Sequence, residues 1–173
     1  MRIRLGLIAG AACVAVMPAM AQHSKPNDAQ IAHIAYTAGL ADIANAEQAM
    51  KKATSKDVKD FAQDMLRDHK AVNDQALALV KKLNVTPQDN DTSKSITKAQ
   101  ADKRAEMEKL NGAAFDKAYA ANEAAYHKTV NGALESTLIP SANNGELKSL
   151  LQTGLKIFQG HQQHAEHLAG ALR

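Results

Sequence analysis

Apolar residues recur every three or four positions along most of this chain, and that spacing constrains the fold more than any other feature. It matches the 3.6-residue period of an α-helix that buries one face, and it differs from the strict alternation of a half-buried strand. The low aromatic content, 3%, also disfavours β-sandwiches and barrels. The sequence therefore predicts an all-α fold. The clearest stripe comprises Val58, Phe61, Met65, Val72, Ala76, Leu79 and Leu83.

Prolines and polar turn residues divide the chain into four long predicted helices. Ser55 is a suitable N-cap for the second helix, and Pro140 is expected to end the third. Four stripes of this length are most simply buried in an antiparallel four-helix bundle. A polar linker over residues 86–95 and a short extra helix over about 97–110 are expected between the second and third long helices. The long helices are predicted over about residues 28–53, 55–84, 113–138 and from the end of the loop Asn143-Asn144-Gly145 to the C-terminus.

The first 21 residues have the three parts of a signal peptide. Arg2 and Arg4 supply the positive end, residues 5–16 the apolar centre, and Ala19-Met20-Ala21 a cleavage motif. The apolar run is shorter than the roughly 20 residues that a membrane-spanning helix needs. We expect cleavage after Ala21 and a periplasmic protein, or alternatively a secreted one. The predicted organisation is a signal peptide over 1–21, a short extension over 22–27 and one helical domain over 28–173.

Composition argues against several classes of function. The formal net charge of +3 falls to +1 when Arg2 and Arg4 are removed, which does not suit a basic nucleic-acid binder. The only cysteine, Cys13, lies in the predicted leader, so the exported chain would have no thiolate ligand, disulfide or cysteine nucleophile. The sequence has neither a glycine-rich phosphate loop nor a serine-hydrolase motif. We expect no nucleic-acid partner, no membrane span in the exported chain, and a monomer or homodimer.

Three of the predicted helices place a histidine where the apolar stripe requires a core residue. His69 and His161 each fill a gap in such a stripe, and Glu123 and His127 occupy consecutive stripe positions of the third long helix. An ionisable group in a core is costly unless it is hydrogen-bonded, paired or bound to a metal. These residues are therefore the best candidates for a functional site.

Counting residues from the connecting turns places these groups at a similar height in the bundle. His69 lies about 15 residues from the first turn and Asp42 about 12. His127 lies about 16 residues from the last turn, His161 about 18 and Glu123 about 20. All five are expected near the middle of their helices.

The sequence leaves open which face of the first helix is buried. A stripe of larger side chains that includes Leu40 and Met50 competes with a stripe of small residues that includes Ala38, Asp42 and Ala49. The hydrophobicity favours the first stripe, and the height comparison favours the second.

Two interpretations of the central groups remain open. In the first, three imidazoles and a carboxylate bind one transition-metal ion, for which Fe, Zn and Cu are suitable. In the second, no metal binds and the histidines form a buried hydrogen-bond network with Tyr119, Tyr126, Asp68 or a carboxylate. The candidate metal ligands are His69, His127, His161, Asp42 and Glu123.

The last helix carries two further histidines in the run H-x-x-H-x-x-H. His161, His164 and His167 follow one another at intervals of three residues, so neighbours lie about 60° apart around the helix. Adjacent pairs could chelate a metal at the surface, and the alternative is a solvated flank of the helix.

The chain resembles the DUF4142 family of exported bacterial proteins over residues 28–172. The resemblance is carried by A-G-L-A-D at 38–42, V-K-D-F-A-Q-D-M-L-R-D-H at 58–69 and F-D-K-A-Y at 115–119, together with His127 and His161. It implies a ferritin-like four-helix fold and an unassigned function.

Two departures limit what the resemblance implies. Relatives usually carry Glu where this chain has Asp42. The Glu-x-x-His pairs of di-iron ferritin-like proteins are missing, since Leu66 and Phe158 stand three residues before His69 and His161. A di-iron carboxylate centre is therefore not expected, and any metal site should be rich in histidine and mononuclear.

We expect an exported bundle protein whose core histidines serve metal handling or an envelope stress response, without an established catalytic activity. The main alternative is a structural or interaction protein in which these histidines only specify packing. A small mononuclear metal oxidase is a less favoured third hypothesis.

Overall fold

The structure, a computed structural model, describes residues 25–172 of the chain. The predicted signal peptide and its cleavage site lie outside the described residues. Within 25–172 every regular element is helical, and none of these helices is long and apolar enough to cross a membrane. The α-helices are α1 (Asp28–Lys52), α2 (Lys56–Lys82), α3 (Asp91–Glu108), α4 (Gly112–Ala133), α5 (Ile139–Ser141) and α6 (Gly145–Ala171).

The extra helix α3 begins six residues earlier than predicted from the sequence. Asn90 and Ser93 form a capping box, in which each side chain accepts a hydrogen bond from the other residue's backbone amide. This satisfies two amides at the helix start, so polar residues assigned to the linker become the first turn of α3. The predicted linker over 86–95 is therefore wrong from residue 91 onwards.

Pro140 does not end the third long helix as expected. A π-helical turn over Leu134–Leu138 follows α4, in which Ile139 donates its amide to the carbonyl of Leu134. Because proline lacks an amide hydrogen and its ring crowds the carbonyl four residues earlier, a local change of hydrogen-bond register lets the helix pass it. The helical path then continues through α5 to Ser141.

The turn between α1 and α2 is held by a residue from another helix. Ser55 is the N-cap of α2 as predicted, but its side chain makes no capping hydrogen bond. Instead Asp116 of α4 accepts hydrogen bonds from the Thr54 amide, the Thr54 hydroxyl and the Ser55 amide, the last at 2.8 Å. The start of α4 is thereby fixed to the first turn.

Helix α1 packs on α2 and α3, α4 packs on α6, and α2 packs on α6. Helix α1 buries its small-residue stripe, including Ala38, Asp42 and Ala49, while Leu40 is 44% and Met50 39% exposed. Two apolar clusters form the core, one at each end of the long helices. Phe61, Met65, Phe115, Tyr119 and Leu168 belong to the first, and Ile31, Ile34, Leu134, Leu138, Leu147 and Leu151 to the second.

Candidate metal centre

A layer of polar side chains crosses the core between the two apolar clusters. Each of the four long helices contributes to it, because its stripe changes from apolar to ionisable at mid-length. All of its ionisable members are at least 93% buried, which is unusual for charged residue types. The layer contains the five residues singled out from the sequence: Asp42 on α1, His69 on α2, Glu123 and His127 on α4, and His161 on α6.

The three histidines of this layer converge. The ring centroids of His69, His127 and His161 are 5.3 to 5.6 Å apart, pair by pair. One ring nitrogen from each lies within 4.8 Å of the corresponding nitrogens of the other two. No hydrogen bond joins any two of the rings, and each ring keeps a buried nitrogen without a hydrogen-bond partner.

In two of the rings, a hydrogen bond at one ring nitrogen fixes the orientation of the imidazole. His127 Nδ1 lies 3.1 Å from the backbone oxygen of Glu123, and His161 Nε2 lies 3.0 Å from Asp68 Oδ2. Both partners are acceptors, so these ring nitrogens carry the proton and donate. The opposite nitrogens, His127 Nε2 and His161 Nδ1, are then unprotonated, buried and without a partner. Metal-binding histidines are commonly oriented in this way by an outer carbonyl or carboxylate.

His69 is held mainly by packing. Its ring stacks on Phe158, with centroids 4.5 Å apart and planes within 4° of parallel. Its Nδ1 lies 3.5 Å from Asp42 Oδ2, and neither ring nitrogen has a hydrogen-bond partner. The stacked ring is fixed in place, and either nitrogen, according to the tautomer, can offer a lone pair.

Burial keeps all three imidazoles neutral near pH 7. Desolvation lowers the pKa of His69 well below its usual value, and the neighbouring histidines lower it further. Desolvation and His161 lower the pKa of His127 to about 4. Desolvation also lowers the pKa of His161, against the opposing effect of Asp68. Neutral rings have a lone pair to offer, as metal ligation requires.

Asp42 and Glu123 form a second buried group, which shares only His127 with the histidine cluster. Desolvation raises the pKa of Asp42 and brings the pKa of Glu123 to about 7. Asn45 and Asn122 donate to Glu123 Oε1, while Asp42 Oδ1 and Glu123 Oε2 lack partners. The carboxyls therefore do not complete the group formed by all three imidazoles.

Only part of the expected hydrogen-bond network is present. Of the partners expected from the sequence, Asp68 bonds to His161, whereas Tyr126 donates to the carbonyl of Ala38 and Tyr119 Oη has no partner. The sequence analysis did not predict that Asn45 takes part in the buried layer, although Asn45 follows Asp42 by three residues and so shares its helix face.

The outer histidines of α6 do not join the centre. His164 and His167 are exposed, and the ring of His164 packs on Phe61 at 4.9 Å between centroids. Among residues 25–172, neither belongs to a group of three or more side chains that could hold a metal ion. Both side chains lie on an exposed flank of α6, and chelation by an adjacent pair stays a prediction.

Comparison with known proteins gives one match. The model of a family described as a domain of unknown function, DUF4142, matches residues 14–168. No curated protein and no solved structure shows significant similarity to the chain.

Proposed function

The chain belongs to the DUF4142 family, whose function is unknown, and we propose that it binds one transition-metal ion through His69, His127 and His161. One observation carries the proposal, namely three buried imidazoles that each offer a ring nitrogen within 4.8 Å of the other two and that each keep a ring nitrogen without a hydrogen-bond partner. Unpartnered buried polar atoms are unfavourable, and a metal ion placed between these three would satisfy them together.

The fold in this proposal is an antiparallel bundle of α1, α2, α4 and α6 with a ferritin-like arrangement. Opposite directions of α1 and α2 are supported by two contacts along the pair, since Asp42 faces His69 and the carbonyl of Tyr36 meets Asn73. The corresponding support for α4 and α6 is that Asn131 bonds to Gln162 while Glu135 bonds to Gln159.

The donor set favours Zn, Cu or Fe bound as a mononuclear ion. Three neutral imidazoles without a thiolate suit these metals, and a three-ligand site leaves a coordination position open. The carboxyls of Asp42 and Glu123 lie beside the cluster and would balance part of the charge of the ion. We propose metal handling in the periplasm, after export directed by residues 1–21; a role in envelope stress would rest on the same site.

A structural role is the second candidate, and the bond between His161 and Asp68 favours it. In that role the histidines would specify how α2 and α6 pack, with no metal bound. The two candidates differ in metal content, which decides between them.

The test is the metal content of the exported protein, purified without a histidine tag and measured by elemental mass spectrometry. We expect about one equivalent of Zn, Cu or Fe per chain. The triple variant His69→Ala/His127→Ala/His161→Ala should lose it, whereas His164→Ala/His167→Ala, which removes two exposed histidines of α6, should retain it.

Titration of the apoprotein with Zn²⁺, Cu²⁺ and Fe²⁺ completes the test. Background metal in the purified protein, together with no saturable binding of any of the three ions, would refute the metal site and leave the structural role. Equal loss of metal in the triple variant and in the control would also refute it.

A further inference from the structure

A large cavity runs from the histidine layer toward the far end of the helices. Its volume is about 910 Å³, and it lies among α1, α2, α4 and α6 with the first turns of α3 at its outer end. An apolar cavity of roughly 150 Å³ can already bind a molecule the size of benzene. The space is therefore far larger than an ordinary packing defect.

The wall of the cavity is mainly apolar, although Asn73, Thr129 and Thr137 also line it between its two ends. Only three charged residues contribute to it, Asp42 at the inner end and Lys25 and Asp91 at the outer end. Several aliphatic and aromatic wall residues are only partly buried, although they lie between helices and belong to or border the second core cluster. These are Leu79, Val80, Ile96, Val130 and Phe158.

Small residues on the facing helices create the space. Ala35 and Ala38 on α1, Ala76 on α2 and Gly154 on α6 all line it. A larger side chain at any of these positions would occupy part of the volume. The cavity thus follows from the small-residue stripe that α1 buries in place of its larger residues.

The cavity is elongated along the helices. On α2 its lining runs from His69 to Val80, and on α6 from Phe158 to Leu147. Each span is 11 residues, or about 16 Å at the rise of an α-helix. One leaflet of a bilayer, half of a hydrocarbon core about 30 Å thick, gives an acyl chain nearly the same length of about 15 Å.

The outer end of the cavity is polar. Lys25, Asp91 and Thr92 are exposed there, and Gln30 and Asn90 also line it. A ligand with an apolar chain and a polar head would place its chain along the wall and its head among these groups. From the length, the lining and the polar end together, we infer that the cavity binds one acyl chain of a single-chain amphiphile, with the head group at the outer end. The cavity shares Asp42 and His69 with the candidate metal site at its inner end, but the inferred binding does not depend on a bound ion.

The test uses the full chain, purified and extracted of lipid, with palmitate and lysophosphatidylcholine as probes. Native mass spectrometry and calorimetry should show a one-to-one complex with at least one of them, and the preference between the two identifies the head group. The variant Ala35→Leu/Ala76→Leu, which fills the cavity with good helix formers, should bind at least tenfold more weakly. The control Ala71→Leu/Ala78→Leu adds the same side chains at exposed positions of α2 and should bind like the wild type.

Two further measurements keep the outcome decisive. If the filled variant does not fold, photo-crosslinking of a diazirine-bearing palmitate to the wild type should label the wall residues Leu79 and Leu151. The double variant His127→Ala/His161→Ala removes two of the proposed metal ligands but no residue of the cavity wall, so it should still bind the probe, which separates this inference from the metal site. Absence of binding by both probes, equal binding by the filled variant, or labelling elsewhere would overturn it. It would also be overturned by a concentration-dependent dimer that excludes the amphiphile, since a second copy would then occupy the cavity.

Discussion

At position 69 an imidazole ring lies in the core without a single hydrogen bond. Its stacking on Phe158 resembles the packing of an apolar ring, but its two nitrogens remain unsatisfied. We predict that His69→Phe abolishes metal binding and leaves the metal-free protein equally stable or up to about 2 kcal/mol more stable, because a phenyl ring keeps the stacking and removes an unsatisfied buried group. Urea unfolding in the presence of a chelator checks this. A loss of stability of several kcal/mol would instead indicate a structural network.

Glu123 should make the stability of the metal-free protein depend on pH. Burial raises its pKa from 4.5 to about 7 in the folded chain. The contribution of the protonated Glu123 side chain to the free energy of unfolding is therefore complete below pH 4.5 and is lost as the pH rises through 7. We predict that Glu123→Gln gains roughly 1–3 kcal/mol relative to the wild type between pH 5.5 and pH 8.

The comparison uses urea unfolding of both proteins with chelator present at each pH. The histidines act in the opposite sense, because the pKa of His127 is lowered to about 4 and its contribution is lost as the pH falls from 6.5 toward 4. The exposed control Glu47→Gln should show no relative gain. Parallel pH profiles for Glu123→Gln and the wild type would contradict the prediction.

At the level of single residues, the apolar periodicity of the sequence was sufficient to find the buried ionisable side chains but not their hydrogen-bond partners. The positions of His69, His127 and His161 in apolar stripes, with the count from the turns, predicted that the three would meet. That they bind a metal remains a prediction. The sequence could not show that His127 bonds to the carbonyl of its own helix or that Asp68 orients His161, because these depend on side-chain rotamers and helix rotation.

Among the helices, the start of α4 depends on one buried carboxylate. Asp116 is 2% exposed and accepts three hydrogen bonds from Thr54 and Ser55 at the first turn. We predict that Asp116→Ala lowers the free energy of unfolding by about 2–4 kcal/mol, since two backbone amides and the Thr54 hydroxyl lose their buried acceptor. Asp116→Asn, which retains one acceptor oxygen, should lose less. Equal stability of Asp116→Ala and the wild type in urea would refute the role of this contact.

The bounds of α1, α2 and α6 follow the sequence because caps and turns near their ends agree with the apolar period. The two errors have local causes. The start of α3 depends on a capping box between Asn90 and Ser93, in a segment without an apolar stripe. The passage of the helix through Pro140 depends on a π turn, which has no periodic signature.

For the whole molecule, a bound ion should act as a clamp on three helices. An ion that binds only the folded chain stabilises it by about 2.7 kcal/mol at one hundred times its Kd. For a chain of this size we predict a rise in Tm of roughly 5–10 °C. Differential scanning calorimetry with and without the preferred ion checks this, and the triple histidine variant should show no shift. An unchanged wild-type Tm at saturating metal would contradict a centre that ties α2, α4 and α6 together.

For residues 25–172, the all-helical class and the approximate lengths of the long helices could be predicted, but the cavity could not. Its existence depends on which face of α1 is buried, and the two stripes of that helix compete in the sequence. The larger stripe, with Leu40 and Met50, is more hydrophobic, yet the structure exposes it and buries Ala38. How closely the small residues of α1 approach the neighbouring helices is set only in the assembled core, so the sequence alone does not reveal the cavity.

The three histidines lie 58 and 34 residues apart along the chain, on helices that meet only after α6 has docked. No single hairpin contains the set, so neither a nascent nor a translocating chain presents it. If the chain is exported before it folds, it crosses the membrane without an ion, and the centre forms on the far side. The identity of the bound metal would then reflect which ions are available where the protein folds, rather than where it is synthesised.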